Sequence, residues 1–124
     1  MEISTEIEKN IRRHVVKGVI DIGELREYLK DKIYSSEIDK KRDALWDLQK
    51  ADFSEISSND LLSFVEFVRG YWGKDGMSKA AIVVSQPLGH EMTRMYQILV
   101  EMKVPNRVEV FKDINEAEKW LGLG

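Results

Sequence analysis

Cysteine is absent from the 124 residues of the chain. That excludes a disulfide framework, a thiolate nucleophile and any cysteine-ligated zinc or iron–sulfur centre. Histidine is scarce: His14 and His90 are the only two, and they do not stand at metal-ligand spacing. Long apolar runs are missing too. The longest, Ala80 to Val84, falls far short of the roughly 20 residues of a membrane-spanning helix. Met1-Glu2-Ile3-Ser4 lacks the basic, apolar, small-residue order of a signal peptide. The expectation is a cytoplasmic protein that inserts into no membrane.

A charge excess of either sign is also lacking. Lys and Arg number 19 against 22 Asp and Glu, giving a net charge of −3 with both signs mixed along the chain. Proteins that grip phosphate backbones show a basic face or stripe, so no nucleic-acid partner is expected. The short basic runs Arg12-Arg13 and Lys40-Lys41-Arg42 read as solvated loop surface. No glycine-rich phosphate loop follows a strand, because Gly70 to Gly76 follows a helical pattern instead. Neither a metal nor another cofactor is implied.

What remains is ordinary globular material. An apolar fraction of 43% beside 33% charged residues suits a packed domain and not a disordered one. At this length folding buries roughly two-thirds of the unfolded surface, enough for one self-sufficient core. Residues 1–124 therefore read as a single domain, without repeat or linker.

Strand-like and helix-like segments alternate. Ile3, Thr5 and Ile7 alternate with Glu2, Ser4, Glu6 and Glu8, the period of a strand with one wet face. Lys9-Asn10 reads as a turn and His14 to Ile20 as a second strand, antiparallel to the first if they pair. Asp21 with Glu24 forms a capping-box pattern before the helical stripe Ile22, Leu25, Leu29, Ile33. Ala44 to Leu48 suits a buried strand. A polar segment, Gln49 to Ser58, leads to a helix with the stripe Leu61, Val65, Val68, Trp72, ended by the glycines at 70, 73 and 76. Tyr71, beside Trp72, is the more exposed aromatic of the two.

Ala80 to Val84 is the most buried-looking strand, with Val83 at its heart. A third helix carries Leu88, Met92, Met95, Leu99 and Met102 on one face, read as core, and Pro105 stops it. Val108 to Phe111 is the last strand. Asp113 and Glu116 repeat the capping-box pattern for a short helix through Leu121, closed by Gly122. The order β-β-α-β-α-β-α-β-α predicts an α/β fold. Its single mixed, mostly parallel sheet of four to five strands begins with an antiparallel hairpin and carries about four helices.

In open parallel sheets, ligands gather where strands run into helices. Asp21, Gln49 to Ser58, Ser85 to His90 and Lys112-Asp113 share that edge. Asp47, Ser85, His90, Met92 and Met95 are its ligand candidates. Each has a plainer reading. Asp47 is suited to bonding nearby loop N–H groups, Ser85 and His90 to capping a helix, and the methionines to core. Ser85, His90 and a nearby Asp are the parts of a nucleophilic triad, but Pro87-Leu88-Gly89 lacks the nucleophile elbow. No catalytic set is assigned.

Ala44-Leu45-Trp46-Asp47-Leu48 through Phe53 to Ser57-Ser58 resembles the SpoIIAA-like proteins, relatives of the STAS domain of anti-sigma-factor antagonists. Leu61 to Arg69, Ala81 to Ser85, Arg94-Met95-Tyr96 and Val108 to Asp113 before Ala117 and Trp120-Leu121 extend the likeness from Ile3 to Leu121. The resemblance implies a non-enzymatic regulatory or protein-interaction module, similar in fold to the lipid-carrying SEC14 (CRAL-TRIO) domains. It places Ser57 and Ser58 where regulatory STAS domains are phosphorylated, with Asp52 in the loop before them. Ile56 stands where that family has aspartate, and Asn59 where it has glycine. Two function classes follow: a module that meets a protein partner through this loop and its helix, and a carrier of a small apolar or lipid-like ligand. A homodimer is compatible with either. A small hydrolase is a distant third.

Overall fold

A chain that alternates Ile3, Thr5, Ile7 with glutamates must turn back on itself to shelter those side chains. It does so at Lys9-Asn10. Both residues take positive φ, 50° and 68°, the hand that matches the right-handed twist of a two-residue hairpin. The structure, a computed structural model, describes residues 1–71, 78–102 and 107–123. The hairpin joins β1 (Glu2–Glu8) to β2 (Ile11–Val19). There follow α1 (Ile22–Tyr28), which runs on through a π-helical turn (Leu29–Ile33), and a 3₁₀ turn (Asp39–Lys41). The rest is β3 (Asp43–Asp52), α2 (Ser58–Arg69), β4 (Ala80–Val83), α3 (Pro87–Glu101), β5 (Val108–Phe111) and α4 (Ile114–Trp120).

The five strands lie in the order β1-β2-β3-β4-β5, antiparallel between the first two and parallel thereafter. Right-handed crossovers that always step in the same direction must all pass on the same side of the sheet. α1, α2 and α3 accordingly pack on one face, with Val16, Ile82, Val84, Leu61, Val65 and Val100 among the buried residues there. Among the described residues the other face has only α4, which covers Leu45, Ala81 and Val83 with Ala117 and Trp120.

Two strands differ from the sequence reading. β2 begins at Ile11, three residues early, which carries Arg12 and Arg13 out of the expected loop and into the sheet. Arg12 is 5% exposed, not solvated, because strand alternation sends it to the helix-covered face. Arg13 turns the other way and meets Glu8 and Glu118. β3 runs to Asp52, so Gln49 to Asp52 is strand, not loop. Its register explains why this was hidden. From Val15↔Asp47 to Lys17↔Lys50, β3 advances three residues while β2 advances two, so β3 bulges around Leu48-Gln49. The buried phase switches there from Ala44 to Ala51 and Phe53, and a period-2 pattern broken by a bulge resembles a polar loop. Beyond the shift, β2 carries Gly18 at φ 84°, a conformation that side chains resist.

The third helix is rotated from its expected face. Gly89, Thr93, Tyr96, Gln97 and Val100 are buried, whereas Leu88, Met95 and Met102 are exposed and Met92 and Leu99 only half-buried. A close approach fixes this rotation: a Cβ on Gly89 would stand 2.9 Å from the Phe53 ring. Gln97 is tolerated inside because it donates to the Val108 carbonyl at 3.0 Å. Tyr71 is not an exposed anchor either, since it stacks on Tyr34 with ring centroids 4.5 Å apart. Trp72, the glycines at 73 and 76, and Pro105 lie outside the described residues.

The helix starts at Asp21 and Asp113 are capped but not as the expected boxes, and the one full box among the described residues stands at α2. Ser57 Oγ accepts from Asp60 N–H at 3.1 Å, and Asp60 Oδ2 accepts from Ser57 N–H at 2.9 Å. Asp21 and Asp113 cap their helices through single bonds to Glu24 and Asn115 N–H.

Two measurements check these assignments. Val83, fully buried, leaves a cavity when cut to alanine, and the denaturation midpoint should fall by the equivalent of about 1–3 kcal/mol. Ser57→Ala removes one arm of the box and should cost about 1 kcal/mol, whereas Ser58→Ala, one position inside the helix, should be near neutral.

Candidate ligand cavity

The helix-covered face does not close completely. Between it and α1, α2 and α3 lies a cavity of about 800 Å³, within the range of small-molecule sites. Val16, Trp46, Phe53, Phe64, Ile82 and Met92 supply apolar and aromatic wall. The exposed part of its lining is at one end. Glu37, Lys40 and Lys41 precede β3, Ser78 and Lys79 precede β4, Arg107 precedes β5, and Gly70-Tyr71 ends α2. All stand at the N-terminal ends of the parallel strands, opposite the edge that sequence reasoning favoured.

A sheet wound in one direction has no point at which strand order reverses, so it lacks the crevice that such a reversal opens at the C-terminal edge. The space lies under the helices instead. Among the described residues six charged ones line it: Arg12, Lys40, Lys41, Lys79 and Arg107 are cations and Glu37 is the one acid. The chain as a whole is net negative.

At the inner end of that rim, β2 lays Arg12, His14 and Val16 in one row. Arg12 Nη1 lies 3.4 Å from His14 Nε2, and His14 Nδ1 lies 2.7 Å from Thr5 Oγ1, which lies 2.6 Å from the Tyr28 hydroxyl. A guanidinium only donates, so Nε2 accepts and the ring proton sits on Nδ1. Thr5 Oγ1 accepts that proton's bond and passes its own to Tyr28. The His14 ring also stacks on Trp46 at 4.0 Å. Complete burial, and then the charge of Arg12, push the His14 pKa down to about 3. Its imidazole is a neutral structural element.

Arg12 itself is poorly satisfied. Besides His14 it reaches only the Arg42 carbonyl, at 3.4 Å, and its Nε has no partner. Burial lowers its pKa, opposed by Tyr34, Asp39 and Asp43. Tyr34 and Tyr96 line the same space. Burial raises the pKa of both phenols, against the pull of Arg12 on Tyr34 and with the help of Tyr34 on Tyr96. Both are hydrogen-bond donors at any working pH.

The residues singled out from sequence lie mostly elsewhere. Only Met92 lines the cavity. Asp47 Oδ1 accepts from Gln49 N–H and from its side-chain amide, both at 3.1 Å, and so satisfies the bulge. Ser85 is not a helix cap: its hydroxyl donates to the Gln49 carbonyl at 3.1 Å, and Gln86 stands at the α3 N-cap without a side-chain bond. His90 is half-buried, its Nδ1 without a partner. Met95 is exposed. Ser57 is the α2 cap, Ser58 its exposed first residue, and exposed Asp52 accepts from Ser54 N–H at 2.8 Å; the Ser54 side chain first, and then this backbone bond, lower its pKa. Sequence reasoning missed Arg12, His14, Tyr34 and Tyr96. Continuing the even-numbered alternation of β2 back from Val16 to Arg12 would have found the first two.

An open sheet of this order, with its antiparallel first hairpin and three crossover helices on one face, is a SpoIIAA-like fold. A crystal structure of an uncharacterised protein from the DUF3478 family, from Shewanella loihica PV-4, carries that fold and superimposes on this chain with a TM-score of 0.55. The two are 19% identical, and the match covers 97% of this chain and 92% of that one. No protein-family model matches the chain, and no curated protein sequence matches it. Among the described residues no helix is long and apolar enough to cross a membrane.

The neutral His14 has a consequence in acid. Unfolded, its imidazole takes a proton near pH 6.5; folded, it resists until about pH 3. The unfolded chain therefore binds more protons across that window. Stability is at its plateau above pH 6.5 and falls on acidification by about 1.4 kcal/mol per pH unit from this group. Chemical denaturation between pH 4.5 and 7.5 should show that slope in wild type and a flatter one in His14→Phe. Equal slopes would mean His14 is protonated in the fold.

Proposed function

We propose that the chain is a single non-enzymatic binding module over residues 1–124 that holds a small amphipathic ligand beneath its three crossover helices. The observation that carries this is the cavity of about 800 Å³ with a mostly apolar and aromatic wall, in a protein small enough to have packed that space with side chains. A non-enzymatic role is supported by how the candidate chemical groups are used. Ser85 is bonded to a backbone carbonyl, and both nitrogens of His14 are engaged in a structural chain.

A second reading, a regulatory module that docks a protein partner or a second copy of itself, has its own support. Leu88, Met95, Ile98 and Met102 are exposed along α3 and fall within one narrow stripe at helical spacing. Leu62, on α2, is exposed as well. Such apolar surface is characteristic of contact surfaces. Ser57 and Ser58, at the α2 N-terminus, remain its phosphorylation candidates, because a helix N-terminus accepts a phosphate.

Native mass spectrometry of gently purified protein reads both at once. The ligand reading expects a mass surplus that disappears on denaturation, and binding of a neutral naphthylamine probe. Ala80→Phe, which pushes a ring into the cavity near its rim, should weaken the probe at least about tenfold while the protein stays folded. A bare monomer mass together with no probe binding sinks the ligand reading, and a clean dimer without ligand favours the docking one.

A further inference from the structure

We propose that the cavity selects an amphipathic anion, its carboxylate or phosphate seated against the Arg12 guanidinium and its apolar body lying under α1, α2 and α3. The inference rests on the binding-module reading and adds the chemistry of the ligand.

Arg12 is the first ground. A guanidinium stays charged under all working conditions, and this one is 5% exposed on the cavity wall. It offers five N–H donors, yet its two hydrogen bonds are both 3.4 Å long and Nε bonds nothing. Among the described residues no carboxylate stands within ion-pair distance of it. Asp39 and Asp43, which act on it from farther off, are engaged elsewhere: Asp39 Oδ1 with Arg42 Nε at 3.1 Å, and Asp43 Oδ1 with Lys79 N–H at 2.9 Å. A buried cation without a counter-charge is strongly unfavourable. An anion in the adjoining cavity removes that defect, and a planar fork matches carboxylate and phosphate oxygens in pairs.

The rim is the second, independent ground. Lys40, Lys41 and Arg107 line the exposed end, where among the described residues Glu37 is the one acid and is paired to Lys40 at 2.9 Å, while Lys79 lines the same end with its ammonium over the Trp120 ring. A mouth lined by one sign of charge concentrates ligands of the other. Beyond it, the Tyr34 and Tyr96 phenols complete a set of donors with no acidic side chain among them. The wall past this point is apolar, so the anion must carry a hydrocarbon body. A simple inorganic anion would leave that space empty, and a cationic amphiphile would meet the like charge of Arg12.

The test compares four amphiphiles of one chain length on the full chain: dodecanoate, dodecyl phosphate, dodecanol and dodecyltrimethylammonium. Each is titrated below micelle formation against a bound neutral naphthylamine probe. At least one anion should bind about tenfold or more tighter than dodecanol, as a charge-assisted pair implies, with the ammonium weakest. Which anion leads distinguishes a fatty-acid-like ligand from a phosphoester. In Arg12→Met, which removes an unpaired buried charge and should fold at least as well, dodecanol should bind within about twofold of wild type and the anion advantage should vanish. Should that variant not fold, the wild-type ranking decides alone. Equal binding of anions and dodecanol in wild type, or an advantage that survives Arg12→Met, overturns this inference and leaves the binding module intact. If none of the four displaces or accompanies the probe, the module reading falls too.

Discussion

Right-handed crossovers in a sheet whose strands follow chain order leave no choice about where the helices go. Each step from β2 to β3, β4 and β5 moves one place in the same direction, so each connecting helix must pass over the same face. Three helices then share a face that is twisted and five strands wide. Their packing distance is set by the largest side chains between them, here Trp46, Phe53, Phe64 and Tyr96. Where such side chains prop the layers apart and small ones such as Ala44 and Ala80 sit between, space remains. The opposite face is governed by the same constraint. It receives only the chain that is left over, α4, and is dry just where Ala117 meets Leu45, Ala81 and Val83.

Against that geometry, the polar row across β1 and β2 is a costly feature of the fold. Arg12, His14 and Thr5 lie on the covered face, where an apolar residue would be the simpler choice. The histidine resolves its position by staying neutral, with each ring nitrogen bonded and its plane on Trp46. The arginine cannot do the same, because its proton is held too tightly to leave. One buried polar group is thus fully accommodated and its neighbour is not. That asymmetry between adjacent inward positions of one strand separates a structural residue from a functional candidate. Burial alone does not, since His14 is the more buried of the two.

The architecture was legible in the sequence wherever period and punctuation agreed. The hairpin, the parallel strands, the α1 stripe from Ile22 to Ile33 and the buried Ala80 strand all stood out, because each rests on local chemistry. Strand order did not, since it depends on which faces meet across the whole molecule. The bulge in β3 hid four strand residues by switching the buried phase from even to odd numbers. The α3 face was misassigned because Met95 and Met102 are apolar but exposed, whereas Gly89 and Gln97 are buried for reasons that lie on other elements, the Phe53 ring and the Val108 carbonyl. The cavity was the least legible part. Its residues come from every crossover, and its position follows from winding direction, which no short motif encodes.

Stability and binding are opposed in such a fold, and the opposition bears on why the space persists. An unfilled cavity forfeits packing in proportion to its volume, and a 124-residue domain has only a modest net stability from which to forfeit it. Filling the space with larger side chains, and replacing Arg12 with an apolar residue, are both simple substitutions that would favour the folded state. A chain that keeps the cavity, the charge beside it and a cationic rim around it holds three features that a purely structural domain has no physical reason to combine. A ligand that binds only the folded form returns the lost stability by mass action. On the proposed reading, the occupant that fills the apolar space would also bring the negative charge, because an uncharged one would repair the packing and leave Arg12 as it is.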